Sequence, residues 1–138
     1  AQERNQKQQA LLAFVELWKR AWESDDVEHY LSFYSEKFRT GGSTYKSWAK
    51  RKRVLNKRIE QRKIHISDLS ILESKNVIHV RFVQDYSSSN ITDIGMKELF
   101  ITQENGQYKI ISENWSRLKS PQPATLQYAY QDSEESAL

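Results

Sequence analysis

"HVRFVQDYSS", residues 79–88, alternates as a half-buried strand does until Gln84 and Tyr86 stand where two more core residues are expected after Val80 and Phe82. An inward amide or phenol needs a partner that hydrocarbon cannot supply. The inward face of this strand therefore reads as core at one end and as the wall of a pocket at the other. Ile78, Val80 and Phe82 serve the deep core, and Gln84 and Tyr86 lie nearer a mouth.

Working outward, Ile64, Ile66 and Leu72 read as a preceding strand, joined to Val77–Tyr86 by a tight turn near Ser74-Lys75. A two-residue turn sets Ile71 opposite Ile78, Leu69 opposite Val80, Ser67 opposite Phe82 and His65 opposite Gln84. It also pairs Asp68 with Arg81, an exposed ion pair worth about 0.2–1 kcal/mol. A second hairpin, 95–103 and 107–117, turns around Glu104-Asn105-Gly106. Two registers compete there. A two-residue turn places Glu98 against Glu113, which repel, whereas a three-residue turn places Lys97 against Glu113 and Leu99 against Ile111, and the second is preferred.

Upstream the period is helical. Leu11, Phe14, Val15, Trp18 and Trp22 form one apolar stripe on a helix spanning about residues 5–23. Ser24-Asp25-Asp26 stops it and caps a shorter helix that turns Val27, Tyr30, Leu31 and Tyr34 inward. Gly41-Gly42-Ser43 breaks the chain, and Ser43 or Thr44 caps a third helix running to about Arg62, with Trp48, Leu55 and Ile59 on its apolar side. Three N-terminal helices packed on a strongly curved antiparallel sheet of about four strands is an α+β pattern.

Length and composition agree with one domain: 138 residues, 38% hydrophobic. Residues 1–120 read as that domain and 121–138, beyond Pro121, as a mobile tail or one ordered by docking Tyr128 and Tyr130. Cysteine is absent, which removes disulfides, thiolate metal sites and thiol nucleophiles together. No apolar run approaches a membrane span, and "AQERNQKQQ" has no signal core, so the chain reads as cytosolic or as a mature or excised piece. The net charge of +3 is uneven: Lys46, Lys50, Arg51, Lys52, Arg53, Lys57, Arg58, Arg62 and Lys63 share their stretch with the single acid Glu60. Such a run is most often a solvated helix face, and otherwise meets an anionic partner.

The stretches "ELWKRAWESDDVEHYLSFYSEKF" (16–38), "YKSWAKRKRVL" (45–55), "VRFVQDY" (80–86), "MKELF" (96–100) and "GQYKIISENW" (106–115) resemble the nuclear transport factor 2-like (SnoaL-like) superfamily. The likeness covers about residues 8–118. Within it, the pattern Trp18, Ala21-Trp22, Asp26, Tyr30, Tyr34, Phe38, Trp48, Arg51 or Lys52, Phe82, Gln84, Tyr86, Lys97, Leu99 and Glu113 is most like the accessory domains of bacterial periplasmic L,D-transpeptidase and L,D-carboxypeptidase proteins. The resemblance implies a cone-shaped α+β barrel with a pocket, in the periplasm or cell envelope, beside a separate catalytic domain of the same full-length protein. That catalytic domain uses a Cys, which this chain lacks.

The pocket candidates are Tyr30, Tyr34, Trp48, Arg51, Gln84, Tyr86, Lys97 and Glu113. An amide, flat amphipathic rings and cations suit a sugar or peptide stem with acidic groups, as peptidoglycan carries. The expected partner is a peptidoglycan fragment or an envelope protein, with no cofactor and no catalytic residue. A polar cluster that closes the cone without a ligand is the bland alternative. A small isomerase or dehydratase would use Glu113 or His65 as base, with Tyr30, Tyr34 or Tyr86 donating to an oxyanion. A dimerising scaffold would bury the outer side of the sheet against a copy of itself. Metal binding is disfavoured, because His29, His65 and His79 belong to different elements or faces. Nucleic-acid binding has only Trp48 and the basic run behind it.

Overall fold

The computed structural model describes residues 2–118 and the backbone of 122–123. In chain order the elements are α1 (Gln2–Glu23), α2 (Val27–Leu31), β1 (Tyr34–Thr40), β2 (Ser43–Thr44), α3 (Tyr45–Arg58), β3 (Lys63–Glu73), β4 (Ile78–Ser87), β5 (Ile91–Glu104), β6 (Gln107–Arg117) and β7 (Gln122–Pro123). The strands form one sheet in the order β2-β1-β6-β5-β4-β3, with β7 beside the start of β5. The α+β class holds. The sheet is wider than the four-strand meander read from sequence, and it is mixed, because β1 pairs parallel with β6.

Leu11, Val15, Trp18 and Trp22 are buried, so the apolar stripe of α1 is the face laid on the sheet. Asp26 caps α2, its carboxylate accepting the His29 N–H at 3.1 Å. This helix is shorter than the spacing of Tyr30 and Tyr34 predicts. It ends at Leu31, and Tyr34 opens β1, with the Ile110 N–H bonding the Phe33 carbonyl at 2.9 Å. In β1 a register shift between Tyr34 and Arg39 interrupts the alternation. Tyr34 and Phe38, four residues apart and both buried, therefore imitate a helix in the sequence.

Helix α3 starts at a Thr44 cap and stops at Arg58, short of Arg62, because Ile59 is extended and Gln61 has φ 58°. Arg62 instead turns back into the protein. Its guanidinium donates to the carbonyls of Trp22, Ser24 and Ile59 and to the Asn56 side chain, tying the end of α1 to the end of α3.

Both hairpin registers differ from the sequence reading. Between β3 and β4 the connection is Ser74–Val77, closed by Ser74 N–H to Val77 O at 3.0 Å, and Glu73 faces Ile78. Ile71 faces Val80 in this register, and a bulge around Asp68, at φ 53°, then shifts the pairing by one residue, so that Ile66 faces Gln84 and Ile64 faces Tyr86. Arg81 lies opposite Ser70 rather than Asp68, and His65 points outward opposite Asp85. Between β5 and β6 the turn has two residues, Asn105-Gly106, setting Glu104 opposite Gln107. A shift between Phe100 and Ile101 then moves Glu113 opposite Leu99 and Glu98 opposite Asn114. The bulge removes the Glu98–Glu113 repulsion that had favoured a longer turn.

The tail read from Pro121 onward, with Tyr128 and Tyr130, lies outside the described residues, except that the backbone of Gln122 and Pro123 pairs with Thr92 and Ile91. Among the described residues no helix is long and apolar enough to cross a membrane.

Candidate functional site

Alternation along β4 and β5 sends Gln84, Tyr86 and Lys97 to the helix-covered face, and β6 sends Glu113 there after its bulge. From the other side α2 supplies Tyr30, β1 supplies Tyr34, and α3 supplies Trp48 and Lys52, while α1 lays Trp18 and Trp22 between them. All these side chains are buried. Gln84 and Tyr86, read as nearer a mouth, are only 2% and 1% exposed.

The interior divides into two parts. In the first, every polar group is paired. The Glu113 carboxylate accepts the Tyr34 hydroxyl at 2.8 Å on one oxygen and the Lys97 ammonium at 3.1 Å on the other. Tyr34 accepts the Trp18 indole N–H at 2.9 Å and lies 3.0 Å from the Tyr30 hydroxyl. Burial, and after it the negative charge of Glu113, push the Tyr30 and Tyr34 phenols well above their ordinary value of 10.0. These hydroxyls stay protonated and donate. With both oxygens engaged, Glu113 would have to give up a partner before it could take a substrate proton.

In the second part, polar atoms are buried without partners. Trp48 Nε1, Arg51 Nε, Gln84 Oε1, Tyr86 Oη and Trp115 Nε1 have no hydrogen-bond partner among the described residues. Each such group costs about 1–3 kcal/mol if nothing meets it. Ring and cation contacts through Trp22, Lys97 and Lys52 link Tyr86, Trp48 and Trp115, which carry three of these atoms, into one chamber. The Tyr86 and Trp22 rings lie 5.3 Å apart. Lys97 Nζ sits 5.4 Å from the Trp22 ring and 5.6 Å from the Trp115 ring, and Lys52 Nζ sits 5.1 Å from Trp22 and 5.9 Å from Trp48. Gly95 makes room for Trp115. It faces Gln84 across the strands, and a Cβ there would meet the Trp115 ring at 2.7 Å and the Ser116 carbonyl at 2.6 Å.

The space beside this chamber, bounded by Trp22, Val27, Tyr30, Lys52, Leu55, Asn56 and Arg62, is about 20 Å³. That is room for about one water molecule. The chamber is packed, and a sugar or peptide would enter only if its walls part.

The structure thus gathers Tyr30, Tyr34, Trp48, Gln84, Tyr86, Lys97 and Glu113. Arg51 is half-buried at the margin, and Lys52, the other reading of that position, is the cation held inside. His65, exposed on the outer face, does not join them. His79 is outward too, 2.7 Å from Glu98 and stacked on Phe100. Trp22, Gly95 and Trp115 escaped the sequence reading as site residues. Trp115 was recoverable, since it lies two residues beyond Glu113 on the same strand face.

Comparison with known proteins places these features in context. The profile of the family described as Cds6 C-terminal NTF2-like domain matches residues 10–114. No curated protein matches. Among solved structures, Bd1075 of Bdellovibrio bacteriovorus is 35% identical over 86% of this chain and 43% of its own, with a TM-score of 0.80. The helical cell shape determining protein Pgp2 of Campylobacter jejuni is 34% identical over 74% of this chain and 38% of its own, with a TM-score of 0.62. This chain therefore spans about two fifths of the length of either protein. An NTF2-like protein of unknown function from Pseudomonas putida shares the fold at 10% identity, covering 81% of this chain and 87% of its own with a TM-score of 0.71.

Proposed function

This chain belongs to the Cds6 C-terminal NTF2-like domain family, and from that premise we propose that it is a non-catalytic binding domain of the bacterial cell envelope. In this reading it serves a peptidoglycan-trimming or cross-linking enzyme domain of a longer protein, and it takes a peptidoglycan fragment between α3 and the inner face of the sheet. The similarity to a cell shape determining protein supports the envelope setting. The observation that carries the binding reading is the group of unpartnered buried atoms at Trp48, Gln84, Tyr86 and Trp115. A ligand amide or hydroxyl supplies what they lack: an acceptor for each indole N–H and a donor for the Gln84 carbonyl. Stacked indole and phenol rings suit the apolar faces of a sugar.

The two indole N–H groups make the test direct. In a ¹⁵N titration with soluble disaccharide–tetrapeptide fragments, the Trp48 and Trp115 indole resonances shift together, and Gln84→Ala or Tyr86→Phe weakens binding in a chain that stays folded. Unmoved indoles at saturating fragment would discard the chamber as the site.

A second reading, a scaffold that pairs with a copy of itself, is favoured by the outer face of the sheet. There Val83 faces Met96 and His79 faces Phe100, all incompletely buried. Sedimentation separates the two, because only the scaffold gives a mass that doubles with concentration and reverts on Met96→Lys.

A further inference from the structure

Helix α3 has two sides, and the chamber uses one of them. Trp48, Ala49 and Lys52 are buried, whereas Lys46, Lys50, Arg53 and Lys57 recur at intervals of four, three and four and are exposed. At 1.5 Å per residue this stripe runs about 16 Å along the helix. Half of the helix's 14 residues are basic and none is acidic. Arg53 meets Glu28 at 2.7 and 3.1 Å, but Lys46, Lys50 and Lys57 have no ion-pair partner among the described residues. Arg39, opposite Thr44 in the β1–β2 register, adds an exposed cation at the helix start.

By itself the arrangement works against the helix. Lys46 stands in the first turn, where the helix dipole already presents positive charge. Lys46 with Lys50, and Arg53 with Lys57, are like charges at i,i+4, which repel. A polyanion laid along the stripe relieves both effects. Arg51, half-buried between the two sides, has its Nε without a hydrogen-bond partner among the described residues.

We propose that the outward stripe of α3, centred on Lys46, Lys50 and Lys57, is a second contact surface for a carboxylate-bearing glycan polymer. The polymer is the one whose fragment enters the chamber, so the inference rests on the function proposed above. One unit sits inside and neighbouring units place their carboxylates on the stripe. The domain then holds the intact polymer more tightly than an isolated fragment, and salt weakens the first more than the second.

The test is co-sedimentation with purified peptidoglycan sacculi across a salt series, beside the soluble-fragment titration. The triple variant Lys46→Gln, Lys50→Gln, Lys57→Gln keeps helix propensity and touches no buried residue. It is expected to lose about tenfold or more of its affinity for sacculi, with a flatter salt dependence. Its affinity for the soluble fragment stays at the wild-type value. Sacculi whose carboxylates have been amidated bind the wild-type chain as weakly as untreated sacculi bind the variant. Unchanged sacculus binding by the triple variant overturns the proposal, as does wild-type binding indifferent to amidation. Tighter binding to anionic phospholipid vesicles or duplex DNA than to sacculi overturns the choice of partner. If the soluble fragment never binds but the triple variant still weakens sacculus binding, the chamber reading falls and the stripe stands.

Discussion

At Glu113 both carboxylate oxygens are engaged, by Tyr34 and by Lys97, at positions 3% and 1% exposed. A buried pair of this kind contributes little over a hydrophobic replacement, yet removing one partner strands the other charge. Glu113→Gln is therefore expected to destabilise the domain by about 3–5 kcal/mol. Adding Lys97→Met should restore most of the loss, and urea unfolding of the single and double variants measures both. A near-neutral Glu113→Gln would show that Lys97 finds another anion or reaches water. The tyrosines make a separate prediction. The folded Tyr30 and Tyr34 hold their protons more tightly than the unfolded chain does, so their contribution is complete below pH 10.0. It is lost as pH rises through the raised folded values. Stability should fall more steeply above that pH in the wild-type chain than in Tyr30→Phe, read as urea midpoints against pH.

The β5–β6 hairpin owes its inner surface to Gly95. A side chain there collides with the Ser116 carbonyl, which is backbone and cannot swing away, and with the Trp115 ring. Gly95→Ala should cost about 1–3 kcal/mol by overpacking. It should also expel Trp115, seen as a red shift in tryptophan emission and a displaced indole resonance. Retained emission with full stability would mean that the strands part without strain. Bulges act at the same scale. One bulged residue in β6 exchanges a Glu98–Glu113 confrontation for Leu99 opposite Glu113, and leaves Lys97 on a diagonal from which its ammonium still reaches Glu113. The sequence reading found the right ionic partners in the wrong register, because both charges belong to the inner face in either one.

For the whole molecule, a packed chamber with several unpartnered polar atoms is a state that a ligand should stabilise. Soluble fragment at a hundredfold excess over its Kd should add about 2.7 kcal/mol to unfolding stability, and correspondingly less for Tyr86→Phe. Equal melting temperatures with and without fragment would count against binding to the folded chamber. Under the proposed binding, the narrow space beside Trp22 and Lys52 would admit a fragment only if α3 moved relative to the sheet. Fragment should therefore slow hydrogen exchange in α3 more than in β4 and β5.

Much of this was written in local pattern. The 3.6-residue recurrence from Leu11 to Trp22, the alternation from Ile78 to Tyr86 and the Asn105-Gly106 turn each need only near neighbours to be read, and they determined the helix-then-sheet class and the inward set Gln84, Tyr86, Lys97 and Glu113. Strand β1 was not legible, because its partner β6 lies some 70 residues away and its buried pair Tyr34 and Phe38 has helical spacing. The registers were decided by a four-residue β3–β4 connection and by bulges, whose extra residue has no signature except an αL-tolerant Asp68. Which buried polar groups find partners was settled only in three dimensions. Tyr34 reaches Glu113 across the sheet, while Gln84 Oε1 and Tyr86 Oη meet no hydrogen-bond partner among the described residues, and such pairings depend on distances between distant segments that no local pattern encodes.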